Sequence, residues 1–257
     1  MLRWIHKSIF REREGKLIFG IWFLVSAFFV MSFKKNYQGI SMCYVDVFAL
    51  LSKYKQEVML PFIGLSILFF IKHDFSCNIV LRQRSVRIIW LHEVLKLFVL
   101  SVYISLAVLI WSGILAKFFS DCTYNWNEYN SYFTYFTQGE ILIRLSYPLF
   151  LLIYVVSNIF VIFVAGMIIL LCYWLTGTYT WGFLFIAAYW SFMPESDLFH
   201  QYCTADFKIW TQEINWCEQL LYPMLFVFLL IFAGFILVKN KEFGLIKNGG
   251  RKSEQNE

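Results

Sequence analysis

Between Leu145 and Pro194 the chain carries no formal charge, and Val99 to Ile114 is a second uncharged, strongly apolar run. Few folds accommodate such stretches. A helix that crosses a bilayer needs about 20 mostly apolar residues, because the hydrocarbon core is about 30 Å thick and an α-helix rises about 1.5 Å per residue. Several segments meet that length. Composition agrees: of 257 residues, 60% are hydrophobic and 15% charged, against about 45–50% and about 25% in soluble domains. One soluble core cannot bury that much apolar surface, so the chain reads as an all-α integral membrane protein.

The apolar pattern predicts six transmembrane helices. The first covers Leu17 to Phe33, closed by Lys34 and Lys35, and the second is short, about Val58 to Ile71. It borrows Leu50 and Leu51, or a tilted entry, on its outer side. The third covers about Leu95 to Phe118, the fourth about Leu149 to Leu175, the fifth Thr180 to Met193, and the sixth Leu220 to Val238. Ahead of them, residues 1–16 (MLRWIHKSIFREREGK) set Leu2, Ile5, Ile9 and Phe10 largely opposite Arg3, Lys7, Arg11 and Arg13. That pattern predicts an interfacial amphipathic helix on the inner leaflet; an ordinary basic flank is the plainer alternative. The segment is too long and mixed in charge for a cleaved signal. Residues 17–247 form the transmembrane domain, and the polar 248–257 a disordered tail.

Orientation follows from the 22 lysines and arginines. With the N-terminus inside, fifteen of them fall in cytoplasmic segments, among them Lys72, Arg82, Arg84, Arg87 and Lys96. Seven fall outside: Lys34, Lys35, Lys53, Lys55, Lys117, Arg144 and Lys208. The positive-inside rule therefore places both termini in the cytoplasm. The net charge of +5 sits at the ends of apolar runs and argues for a lipid bilayer rather than nucleic acid as partner.

Chemistry-bearing motifs are scarce. The chain has no GxxxxGK[ST] loop, HExxH, GxSxG or paired carboxylates, so neither catalytic residues nor a bound cofactor is expected. None of the six cysteines forms a CxxC pair, and no Cys/His cluster has metal-ligand spacing. Cys77 and Cys172 fall inside or within the membrane; Cys43, Cys122, Cys203 and Cys217 face outward. A Cys203–Cys217 pairing and free thiols both remain open. Glu93 and Lys96, three apart, either pair on one helical face or mark a polar helix end. Asn158 is a lone polar group in the fourth span, either glue between helices or part of a path. The last outer segment, Glu195 to Glu218, holds five acidic residues against Lys208. It either draws cationic cargo or is an ordinary solvated loop.

The order of these parts, with NIVLRQRSVRIIWLHEVLK between the second and third spans, resembles the membrane subunit of ABC-2-type transporters, particularly small permeases of bacterial peptide and bacteriocin export or immunity systems. In that family the corresponding inner loop often reads I-[IV]-x-R-x-x-S-R-x-x-[WI]-W. Ile79, Val80, Arg82, Ser85, Arg87 and Trp90 stand at similar places, with Arg84 extra. The resemblance implies a multi-pass permease of the cell membrane that exports an amphipathic substrate such as a peptide or drug. A separate cytoplasmic ABC ATPase would hold the ATP and Mg, and a second permease copy or a sister permease would complete the path. It implies coupling through Arg82, Arg84, Ser85, Arg87, Glu93 and Lys96. Trp111, Asn158, Phe160 and Trp190 are candidates for the substrate path. A non-transporting immunity, sensor or assembly protein is the alternative. A secondary carrier is disfavoured, since neither buried charge nor a matched repeat is evident.

Overall fold

The computed structural model describes residues 13–55, 59–72, 86–137, 146–178, 180–192 and 221–238. Helices α1 (Arg13–Asn36), α2 (Tyr44–Lys53), α3 (Leu60–Lys72), α4 (Val86–Phe119), α5 (Tyr132–Thr137), α6 (Tyr147–Thr176) and α7 (Thr180–Phe192) follow in order. Then comes α8 (Leu221–Val238). Among the described residues there is no strand beyond two isolated bridges. Four helices, α1, α4, α6 and α8, are long and apolar enough to cross a membrane. α3 and α7, at 13 residues each, are shorter.

The side-chain distribution explains why these helices form a membrane bundle. α1 buries Trp22, Ser26, Val30 and Phe33 while exposing Leu17, Ile21, Leu24, Phe28 and Met31. The exposed set recurs at three- and four-residue steps, one apolar stripe facing outward where a soluble helix would be polar. Lipid makes such a stripe favourable, and a helix satisfies its own backbone there. α8 exposes Leu225, Phe228, Leu229, Phe232 and Ile236 in the same way. The interior is built by α4 and α6, with α2 packed on α4, α1 and α6 on α3, and α7 on α6. Ser146 and Pro148 start α6, and Gly177 ends it in the left-handed region at φ 79°, which costs glycine little. Three residues, 177–179, separate α6 from α7, and Gly182 of α7 lies so close that a Cβ there would sit 2.7 Å from the Ile169 Cα.

The end of the bundle reached by Asn36, Phe119 and Tyr147 is closed by an ordered cap. Ser41 pairs with Ser131, and Cys43 with Cys122, in parallel bridges. Lys34 donates to the Phe119 carbonyl at 2.7 Å and meets Asp121 at 2.6 Å, capping the last turn of α4. Phe33, Tyr37, Tyr132 and Phe136 stack beneath, and the Lys53 ammonium lies 4.3 Å above the Phe136 ring.

Two boundaries differ from the sequence expectation. α4 starts at Val86 rather than about Leu95, so Arg87 and Trp90 belong to the helix and not to a preceding hairpin. No breaker interrupts Val86 to Lys96, and the charged residues there are good helix formers; low hydropathy concealed a helix about 50 Å long. Of the two lysines expected in an outer loop, Lys53 is half-buried against the cap, and Lys55 lies instead beside the bundle interior. α2, expected as loop and borrowed apolar residues, is buried on all sides from Val45 to Ser52. Lys55 is 1% exposed, and its ammonium stands 3.4 Å from the Ser157 hydroxyl. Ser157 lies ten residues into α6, about 15 Å below the cap. Residues 1–12, the acidic segment, Cys203, Cys217 and the tail lie outside the described residues.

Candidate functional site

Two polar regions are embedded in the apolar bundle. The first is the base of the segment joining α3 to α4. The last four carbonyls of a helix lack partners within it. In α3 one of these, that of Phe70, accepts a 2.8 Å hydrogen bond from the Lys96 ammonium. Lys96 is 1% exposed. A cation placed there also meets the negative end of the helix dipole. Glu93, one turn earlier on the same face, is 3% exposed. Neither residue is therefore a solvated helix end. Trp90 is buried edge-on to Trp174 of α6, ring centroids 6.3 Å apart, and its ring lies where a Cβ on Gly234 of α8 would stand. The start of α4 is thus held by α3, α6 and α8 together. Arg87 is exposed at the mouth of this base. Arg82, Arg84 and Ser85 lie outside the described residues.

The second region is a buried polar layer below the cap. Ser112 of α4 and Tyr154 of α6 share a 2.9 Å hydrogen bond, and the Ser157 hydroxyl donates to the Tyr154 carbonyl at 3.0 Å. Lys55 approaches Ser157 from the segment between α2 and α3. Asn158, fully buried, lies beside the Tyr154 hydroxyl, and its amide makes no other hydrogen bond among the described residues. In a low-dielectric interior such a group is costly and marks a place where a polar guest gains most.

The other path candidates sit elsewhere. The Trp111 indole donates to Ser26 of α1 at 2.9 Å, and its ring packs 4.9 Å from Phe23. It ties α4 to α1. Phe160 packs against the core, and Trp190 is on α7. The structure thus brings Arg87, Glu93 and Lys96 onto one helix end, and adds Lys55, Ser112, Tyr154 and Ser157 around Asn158. The sequence signal for the latter was the polar KYKQE run between the apolar runs 47–51 and 58–63. Among the described residues no three His, Cys, Asp or Glu side chains converge on a metal-sized site. No family model, curated protein or solved structure matches the chain.

Proposed function

We propose that this chain is the membrane-spanning permease subunit of an ABC-2-type exporter, driven by a separate cytoplasmic ATPase. In this reading α3 and α7 are the second and fifth of six spans, each completed by neighbouring residues or tilt. The cap faces outward, and the segment from 73 to 85 dips into the cytoplasm of a cell-membrane protein. The observation that carries the reading is the Lys96–Phe70 brace at the base of that arginine-bearing segment. A coupling element must pass force from a docked partner to the bundle. A segment whose two flanking helices are tied by a buried ammonium does so as one lever. Arg82, Arg84, Ser85 and Arg87 supply the charged surface that a partner grips, and Trp90 carries the displacement to α6 and α8. Rocking of these helices then alternates the path between its two faces. A second permease copy or a sister chain encloses that path, and the aromatic-rich interior suits an amphipathic peptide or drug.

The test is co-purification with an ABC ATPase co-expressed with this chain. Reversing both charges, Arg84→Glu with Arg87→Glu, is expected to abolish the complex while the permease still folds and inserts. Complex formation indifferent to the double reversal contradicts the coupling role, and failure of the unmodified chain to bind an ATPase favours a non-transporting membrane protein.

A further inference from the structure

Cys43 and Cys122 come from the two halves of the cap, one leading into α2 and the other leaving α4. They stand opposite each other in a parallel bridge, with the Tyr44 N–H donating to the Cys122 carbonyl at 3.0 Å and the Asp121 N–H to the Met42 carbonyl at 2.7 Å. Backbones paired in this way lie about 4.7–4.9 Å apart, and their paired side chains leave the same face. A disulfide needs Cα atoms about 4.4–6.8 Å apart. The bridge therefore sets the two backbones at a spacing that a disulfide can span, and it is held there, with both thiols free in the structure. The Asp46 carboxylate accepts from the Cys43 N–H at 2.7 Å and from the Trp126 indole at 2.6 Å. Lys34 anchors Asp121, whose other oxygen accepts from the Met42 N–H at 3.2 Å.

The surroundings disfavour other uses of these thiols. Burial and the nearby carboxylate of Asp46 push the Cys43 thiol up, and burial with Glu128, Asp46 and Asp121 does the same at Cys122. Both thiols are therefore mainly protonated at neutral pH, which disfavours metal binding and makes thiol–disulfide exchange slow. Cys43 is fully buried, whereas Cys122 is half-buried, so one sulfur is open to an exchange partner and the other is shielded.

We infer that Cys43 and Cys122 form a disulfide that ties the two halves of the cap, given the outward orientation proposed above. The oxidant is a disulfide-bearing oxidoreductase of the outer compartment. The Cys122 thiolate attacks one donor sulfur, breaking the donor S–S bond and releasing the first donor thiol after protonation. Cys43 then attacks the Cys122 sulfur of the mixed disulfide, its proton passing to the second donor thiol as that group leaves. Two protein thiols lose two electrons, and one donor disulfide becomes two thiols.

The test uses the full chain in its native membrane, acid-quenched, denatured, blocked with N-ethylmaleimide and digested without reductant. Mass spectrometry is expected to find the Cys43 and Cys122 peptides joined, two hydrogens lighter than their sum and separated by reduction. Alkylation of both residues, or linkage of either to Cys203 or Cys217, overturns the inference. Cys43→Ala, Cys122→Ala and the double variant should lower the unfolding temperature equally, as should reduction of the unmodified chain. Losses that add between the two single variants contradict a shared bond. Labelling of Gln83→Cys from outside intact cells would show that the orientation itself failed, whereas unlinked thiols with position 83 protected would remove the disulfide alone.

Discussion

Asp46 is fully buried in the first turn of α2, and burial, outweighing its two N–H donors, raises its carboxyl from 3.8 to about 6. A carboxyl whose folded value is raised favours the folded state when protonated. Its contribution is complete below about pH 4 and is lost as pH rises toward 6, so this group makes the cap tighter in acid. Asp121 works in the opposite sense. Although partial burial raises it, the Lys34 hydrogen bond and the Met42 N–H bring its carboxyl below 3.8, and its contribution is lost only in stronger acid. The indole N–H resonance of Trp126 reports Asp46 directly. It is expected to titrate with a midpoint near 6, and Asp46→Asn should abolish the transition. A flat profile from pH 4 to 7 would contradict the assignment. These residues were not legible in the sequence, because a carboxylate in YVDVFALL acquires its partner, Trp126, only through cap pairing between distant segments. Asn158 was legible as a lone polar residue in an apolar run; that it joins Tyr154 and Ser112 in one buried polar layer was not, since this depends on what α4 presents to it.

The α6–α7 hairpin shows how a helix pair is fixed by two glycines with different duties. Gly177 takes the positive φ that ends α6, and Gly182 admits the Ile169 backbone. Gly182→Leu cannot be absorbed by a side-chain rotation, since the obstacle is the Cα of a neighbouring helix. The expected cost is on the order of 2–3 kcal/mol, seen as a lower unfolding temperature in detergent with the distance between α6 and α7 increased. Unchanged stability would mean that the helices do not approach as described. Helix ends of this kind were well marked in the sequence: α7 was expected over Thr180 to Met193 and runs Thr180–Phe192, and the last helix was expected from Leu220 and runs from Leu221. Apolar runs bounded by turn residues and lysines define such edges locally. The N-terminal part of α4 and the whole of α2 escaped that logic. Charged residues in α4 resembled a loop, and the Lys53 and Lys55 charges concealed that the chain re-enters the bundle. What settles a buried lysine is a partner on another helix, such as Phe70 or Ser157, and no local pattern records it.

For the molecule as a whole, the closed cap and the braced base lie at opposite ends of the same helices. The cap ties α1, α2 and α4 through backbone pairing and Lys34, while Lys96 and Trp90 tie α3, α4, α6 and α8 at the other end. A force applied between α3 and α4 would therefore reach four helices, of which α4 is also tied by the cap. In the proposed exporter, α4 would serve as the pivot between the cap and the moving base. The proposal requires the segment between α3 and α4 to lie in the cytoplasm, within reach of an ATPase. The decisive measurement places Gln83→Cys in a chain whose six native cysteines are replaced by alanine, and treats intact cells with a maleimide that cannot cross the bilayer. Protection in intact cells with full labelling after permeabilisation is the expected result. Labelling of position 83 from outside would contradict the orientation and the transport mechanism together.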